Sequence, residues 1–280
     1  MSTEIIKNKK VAIIAGGGDL PIEVIKRIKE LGIDFVIIRF AGVPLNISIN
    51  ENIIDAEFER ISDLFSELSL RNVNAVVCCG YVPRPEINVE HINAESRLIL
   101  EPIIKSFALG DEAIFRSILK LFENKHLIPL NISDLVPNLF PKKEFLTKRK
   151  PNKSDMNDAE KSVQILTLMS SADLGQSVVV SGGACLAFET SPGTDAMLRY
   201  LWMLKKDQPS FFSGGLLYKS PKDGQNLFID QPVIGVNTVK GVKKAGLNGI
   251  VIKYAEVIVL EPTKVIKLAN DLGIFIWSKK

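Results

Sequence analysis

The sequence predicts an α/β protein, with an N-terminal Rossmann-like domain built on a parallel sheet and a second compact α/β domain after it. Three observations predict this. Unbroken apolar runs with β-branched members, such as KVAIIA (Lys10 to Ala15), read as strands buried on both faces. These runs alternate with amphipathic stretches of helical period, the order of β-α-β units in a doubly wound sheet. A length of 280 residues favours two domains over one, and a proline- and lysine-rich stretch near the middle supplies the division.

The first unit runs from Lys10 to Phe40. After KVAIIA come Gly16-Gly17-Gly18 and Leu20-Pro21, then IEVIKRIKEL with apolar residues on one face, a helix stop at Gly32, and the buried strand FVIIRF. The glycine loop carries the first two glycines of a dinucleotide fingerprint. Pro21 stands at the third position, however, and Arg39 ends the second strand where an NAD site wants an acid. Another phosphate or nucleotide on the loop's backbone N–H groups, or a plain turn of small residues, are the readings left open.

Ile61 to Leu70 is expected as a helix and AVVCC (Ala75 to Cys79) as a third strand, ending in Gly80-Tyr81-Val82-Pro83-Arg84-Pro85. A loop at the carboxyl end of a parallel strand lies where open sheets bind ligands, so Arg84 is either a held ligand contact or a surface arginine in a rigid loop. Helical periodicity from Ser96 to Phe122 breaks at Gly110-Asp111, and Asp111 is placed to cap the second helix. Residues 1–132 form the first domain in this reading and 133–154 a linker. The linker's basic side chains, Lys142 to Lys153, are either solvated or drawn to an anionic lipid surface.

Residues 155–280 form the second domain. A helix is expected from Met156 to Met169, with Asp158 in its first turn. A single apolar run, Val178 to Phe188, reads as a strand ending in Glu189. The tight turn Ser191-Pro192-Gly193 and a helix opening at Thr194-Asp195 follow. Strand, turn and helix start in that order gather anions and cations; capping by Thr194 or Asp195 is the alternative. Lys219 and Lys222 lie three apart, and Phe228 to Gly235 reads as a short strand carrying Asp230. A helix from Thr238 to Ala245, short strands at Ile250, Val257 and Phe275, and a helix from Pro262 to Asp271 complete the chain.

Composition narrows the function. Hydrophobic residues at 46% and charged residues at 24% suit a soluble packed protein, and a net charge of +3 with 7% aromatics argues against nucleic acid. Three cysteines make neither a disulfide framework nor a zinc pattern and are expected to be reduced, buried and cytosolic. The N-terminus shows no signal region, and no apolar run approaches the roughly 18 residues of a span. With two histidines, a His-rich dinuclear site is not available, so a metal would have oxygen ligands, as magnesium does.

Taken together, IAGGGDLP (Ile14 to Pro21), Gly80-x-Val82-x-Arg84-Pro85, Gly110-Asp111-Glu112, Gly175-Gln176, LAFE with PGTDAML (Leu186 to Leu198), Lys219-x-Pro221-Lys222, Gln225, Asp230-x-Pro232-x-Ile234-Gly235 and AGLNGI resemble the LpxI family of UDP-2,3-diacylglucosamine pyrophosphatases. The likeness covers nearly the whole chain. It implies two domains with a ligand cleft between them, a homodimer, and work in lipid A assembly on the cytosolic face of the inner membrane, with transient contact at that surface. The implied reaction is Mg2+-supported hydrolysis to UMP and 2,3-diacylglucosamine 1-phosphate (lipid X), with water attacking the UMP-side phosphorus.

The family's critical aspartate falls on Asp230. Asp195, Lys219 and Lys222 join it as catalytic candidates, and Asp230 and Asp195 as metal ligands. The substrate-binding candidates are Gly17, Gly18, Leu20, Gly80, Tyr81, Arg84, Asp111, Gln176, Gly183, Thr194, Gln225 and Thr238. The chain carries Tyr81, Asn226 and Phe228 where the family usually has Asn, an acid and Arg, and Gly182 where an acid can occur. A nucleotide-sugar binder without catalysis and an NADP oxidoreductase are the alternative functions.

Overall fold

The computed structural model describes residues 6, 8–45 and 52–280. They form two compact units, Met1–Pro137 with Asn226–Asp230, and Asn138–Gln225 with Gln231–Lys280.

The first unit holds a five-stranded parallel sheet. Its elements are β1 (Lys10–Ala15), α1 (Leu20–Glu30), β2 (Asp34–Phe40), β3 (Ile53–Ala56), α2 (Ile61–Leu70), β4 (Ala75–Cys79), α3 (Ala94–Ser106), α4 (Asp111–Asn124), β5 (Ile128–Pro129) and α5 (Ile132–Leu135). The strand order is β3-β2-β1-β4-β5, the doubly wound order, so β1 and β4 flank the point where the winding reverses. Successive side chains of a strand point to opposite faces, and both faces are covered. Ala12, Val36, Ile38 and Val76 pack with Leu64, Leu68, Leu100 and Phe122 of α2, α3 and α4. α1 packs on β1, β2 and β4 beside α5, where Arg27 Nε donates to the Leu135 carbonyl at 3.2 Å. Val11, Ile13 and Ile37 are fully buried.

Residues 226–230, of which Phe228 to Asp230 were expected in a strand of the second domain, form a turn that clusters with the first unit. Ile229 packs on that unit's core, and the Ile229 and Asp230 N–H groups donate to the Asn226 carbonyl at 3.4 Å each. The expected strand from Phe228 is reduced to β9 (Val233–Ile234), paired with β11 (Ile258–Val259).

The second unit contains α6 (Lys153–Ser170), β6 (Ser177–Ser181), β7 (Ala184–Phe188), α7 (Thr194–Asp207), β8 (Leu216–Lys219), β9, α8 (Val236–Lys244), β10 (Gly249–Lys253), β11, α9 (Pro262–Leu272) and β12 (Phe275–Lys279). Its main sheet has the order β12-β10-β8-β6-β7, with β12, β10 and β8 parallel and β6 and β7 antiparallel. α7, α8 and α9 cover one face through Leu198, Leu201, Val239, Val242, Val265 and Ala269. α6 covers the other through Ala159, Leu166 and Met169.

The single strand expected from Val178 to Phe188 is a hairpin. Gly182 and Gly183 both take left-handed backbone (φ 59° and 79°), the pair of positive angles that a two-residue hairpin loop of type I′ needs. The stretch 133–154 carries structure of its own. α5 includes 133–135, and residues from 138 on cluster with the second unit. There the Leu146 N–H donates to the Ile276 carbonyl at 3.0 Å, Thr147 Oγ1 accepts from the Ile276 N–H at 2.8 Å, and Arg149 Nη1 reaches the Gly273 carbonyl at 2.6 Å. Asn152 and Asp155 then close a capping box at the start of α6.

Candidate functional site

In the first unit, the candidate residues gather where the sheet's winding reverses. Gly16 to Gly18 follow β1, and Gly80 to Arg84 follow β4. The two loops are joined by backbone bonds, Gly16 N–H to the Cys79 carbonyl at 2.8 Å, Gly17 N–H to the Tyr81 carbonyl at 2.8 Å, and Tyr81 N–H back to Gly17 at 3.1 Å. A Cβ on Gly16 would lie 2.5 Å from the Gly80 carbonyl carbon, and Gly80 has φ 84° with the Gly17 oxygen 2.6 Å from a Cβ built there. Loop-to-loop contact therefore explains Gly16 and Gly80. Gly18, also at positive φ (90°), has open space about it. Leu20 is buried at the start of α1, and Tyr81 is exposed.

Arg84 leans over the Phe107 ring at 5.2 Å, and its Nη2 donates to Asp111 Oδ1 at 3.2 Å. Asp111 does not cap its helix, as the sequence suggested. Gly110 is the N-cap residue, so Asp111 falls one position inside and its carboxylate pairs with Arg84. Asp230 belongs to this same unit, carried on the 226–230 turn. Asn226 shapes that turn, since its Oδ1 accepts from the Phe228 N–H at 3.0 Å. A side-chain oxygen at this position can do that work on either an amide or a carboxylate.

In the second unit, a buried polar cluster joins the ends of four elements. Lys219, last in β8, donates from Nζ to Thr194 Oγ1 at 2.7 Å, Ser177 Oγ at 3.1 Å and Glu189 Oε2 at 3.2 Å. Ser177, first in β6, donates its hydroxyl to Glu189 Oε2 and lies 3.2 Å from Thr194 Oγ1. Burial would push the Glu189 carboxyl up. The Lys219 charge and the bonds from Ser177, Thr194 and Lys219 outweigh it, and the group sits below the usual glutamate range. An ammonium has three N–H donors, and all three of Lys219's are engaged here. The cluster fixes the first residue of α7, so Thr194 is held by Lys219 and does not cap the helix; Gly193 is the N-cap residue.

Lys222 pairs with Asp173, and its backbone N–H donates to Gln225 Oε1 at 2.8 Å. The Gln176 carbonyl accepts from the Ser220 N–H at 3.0 Å. Thr238 Oγ1 accepts from the Gly235 N–H at 3.2 Å, a cap for α8. The N–H groups of Gly182 and Gly183 are taken by Asp158, at 3.0 and 2.7 Å. Asp195 makes no cap bond and lines a cleft of about 320 Å3 with Arg199, Trp202, Lys240 and Lys244. On the opposite flank of α7, Leu186, Phe188, Pro192, Met197 and Tyr200 line an apolar cleft of about 460 Å3.

The structure thus sorts the candidates into two sets. Gly17, Gly18, Leu20, Gly80, Tyr81, Arg84, Asp111 and Asp230 lie in the first unit. Gln176, Gly183, Thr194, Asp195, Lys219, Lys222, Gln225 and Thr238 lie in the second. Sequence reasoning passed over Ser177 and the anchoring role of Asp158. Nothing local marks either residue, because the partners of Ser177 lie 12 to 42 positions away and those of Asp158 about two dozen. Of the cysteines expected to be buried, Cys79 is, Cys78 is partly so, and Cys185 is exposed on the edge strand β7. Among the described residues no group of three or more His, Cys, Asp or Glu is arranged to hold a metal. No helix among them is long and apolar enough to cross a membrane.

Comparison with known proteins gives matches over most of the chain. Residues 10–139 match the LpxI N-terminal domain, and residues 142–277 the LpxI C-terminal domain. The UDP-2,3-diacylglucosamine pyrophosphatase LpxI of Caulobacter vibrioides is 31% identical over 277 residues, covering 96% of each chain. A solved structure from Methylobacillus flagellatus covers 95% of this chain and 82% of its own, at 15% identity and a TM-score of 0.30.

Proposed function

Because this chain belongs to the LpxI family, we propose that it hydrolyses the pyrophosphate of UDP-2,3-diacylglucosamine to UMP and lipid X. The observation that carries the reading is the full-length relation to the Caulobacter protein of that activity. Water attacks the UMP-side phosphorus, the bond from that phosphorus to the bridging oxygen breaks, and the oxygen leaves with the lipid X phosphate. Two negative charges on the pyrophosphate oppose such an attack, so the site must neutralise charge and aim the water.

Arg84 is the proposed phosphate contact in the first unit. A guanidinium has five N–H donors in a planar fork, and the bond to Asp111 engages only one end. Asp230 is the proposed carboxylate of the reacting centre, either orienting the water or binding Mg2+, with Asp195 the other candidate ligand. A hard cation of this kind takes one or two carboxylates and completes its shell with water and phosphate oxygens. When bound, Mg2+ supplies charge neutralisation on the phosphates. Lys219 is proposed to act through Thr194, holding the start of α7 in place. Gly18, Tyr81, Gln176 and Gln225 remain substrate contacts in this proposal, together with homodimer formation and a cytoplasmic location.

The test is UMP release from UDP-2,3-diacylglucosamine with Mg2+ and then with chelator. Turnover that chelator stops supports both reaction and metal. Asp230→Ala should abolish turnover while leaving the circular dichroism spectrum and melting profile unchanged, and retained turnover would remove Asp230 from the reacting centre. A folded protein that binds the UDP-lipid and releases no UMP would be a binder only.

A further inference from the structure

Helix α7 presents an outer face from which only Asp195 enters the proposed reaction. Met197, Leu198 and Leu201 face the core, whereas Tyr200 (57% exposed), Trp202 (41%) and Met203 (55%) face solvent. Phe188 (45%), from the edge strand β7, lines the apolar cleft with Tyr200. Phe211, just beyond the helix, is also more than half exposed. Soluble surfaces rarely concentrate large apolar side chains in this way without a partner.

The charges beside the patch are specific in sign. Arg199, Lys240 and Lys244 line the other flank of α7 with Trp202, and the Lys244 ammonium stands 5.7 Å from the Trp202 ring. Lys206 continues the exposed cations along the helix, against two exposed acids on it, Asp195 and Asp207. Exposed Trp, Tyr and Met next to Lys and Arg match the layering of an anionic bilayer, with the rings at headgroup depth and the cations among the phosphates.

We infer that the outer face of α7, with the β7 edge and the basic flank of α8, docks this protein on an anionic lipid bilayer. The proposed lipid substrate gives such docking its use, and the inference rests on that reading only for its purpose; the surface chemistry stands by itself.

The chain has two tryptophans, and Trp277 is only 8% exposed. Trp277→Phe therefore leaves Trp202 as a reporter on the face. With vesicles of phosphatidylethanolamine and phosphatidylglycerol, its emission shifts to the blue and is quenched by brominated acyl chains. With phosphatidylcholine vesicles it does neither. In flotation, the full chain rises with the anionic vesicles and is released by salt. Lys240→Glu with Lys244→Glu changes four units of charge and lowers the vesicle partition constant roughly a hundredfold or more, from about 1 kcal/mol per unit charge near the surface. Lys142→Glu with Lys143→Glu tests the basic 142–153 run as a rival lipid contact: unchanged binding supports the α7 face, and a loss as large as that of the Lys240/Lys244 variant overturns it.

Unshifted Trp202 emission, or equal flotation of the Lys240/Lys244 variant and the parent, overturns the inference. Hydrolysis of detergent-dispersed substrate separates the two proposals. A chain that releases UMP yet ignores vesicles keeps the reaction and loses the docking face. One that floats yet releases none keeps the face and loses the reaction.

Discussion

Replacing Lys219 by Met should strongly destabilise the second unit, and the structure sets the size of the effect. The Lys219 side chain is 5% exposed and that of Glu189 14%, so neither charge can turn to bulk water without opening the fold. Without the ammonium, Glu189 keeps only the hydroxyl partners Ser177 and Thr194 in a buried place. Removing one partner of a buried pair costs about 3–5 kcal/mol, most of it the penalty on the charge left behind. Lys219→Met with Glu189→Gln removes both charges and should lose less than the sum of the singles, a coupling of about 2–3 kcal/mol. Both tryptophans, Trp202 and Trp277, lie in this unit, so their fluorescence in urea reports its unfolding. The single variant should lower the midpoint by roughly 1–2 M, taking a slope of about 2–3 kcal/mol per M. An unshifted midpoint, or a double variant as weak as the summed singles, would refute the reading of the cluster as a coupled pair.

The same cluster has a pH signature. The Glu189 carboxyl is held below its unfolded value of about 4.3, so its contribution is complete above that pH and is lost as pH falls through the lower folded value. Urea midpoints measured below pH 5 should therefore fall more steeply in the parent than in Glu189→Gln. Gly80→Ala should destabilise the first unit by about 2–4 kcal/mol in a circular-dichroism melt, since it adds a Cβ at φ 84° against the Gly17 oxygen. Asp158→Ala should cost about 1–3 kcal/mol, limited because Gly182 and Gly183 are exposed and water can take their N–H groups; Asp158→Asn, which keeps one acceptor, should cost about half. Iodoacetamide at pH 8 should label Cys185 alone in the folded chain and all three thiols in urea. Burial pushes the Cys78 thiol up to about 12 and raises Cys79 as well, whereas Cys185 is exposed.

Local pattern was enough for much of the fold. KVAIIA, FVIIRF and AVVCC became strands of one parallel sheet because an apolar, β-branched run can be buried on both faces wherever it pairs. The break at Gly110 fell where the sequence placed it, and the helix expected to end at Ala245 stops within a residue of it, since Gly246 takes the positive φ that ends a helix. The family was legible for the same reason, since its motifs are short, ordered and local. Long-range pairing was not legible. The sequence put Asp230 in a strand of the second domain, whereas its turn clusters with the first unit because Ile229 finds its core there. Capping and pairing aspartates share one local pattern, and only the fold brings Arg84 to Asp111 or Asp158 to the Gly182–Gly183 turn. Lys219 was legible as a cation, but that its charge is spent inside the protein on Glu189, Ser177 and Thr194 depends on residues 25 to 42 positions away, and tertiary packing alone sets which distant groups share a buried space.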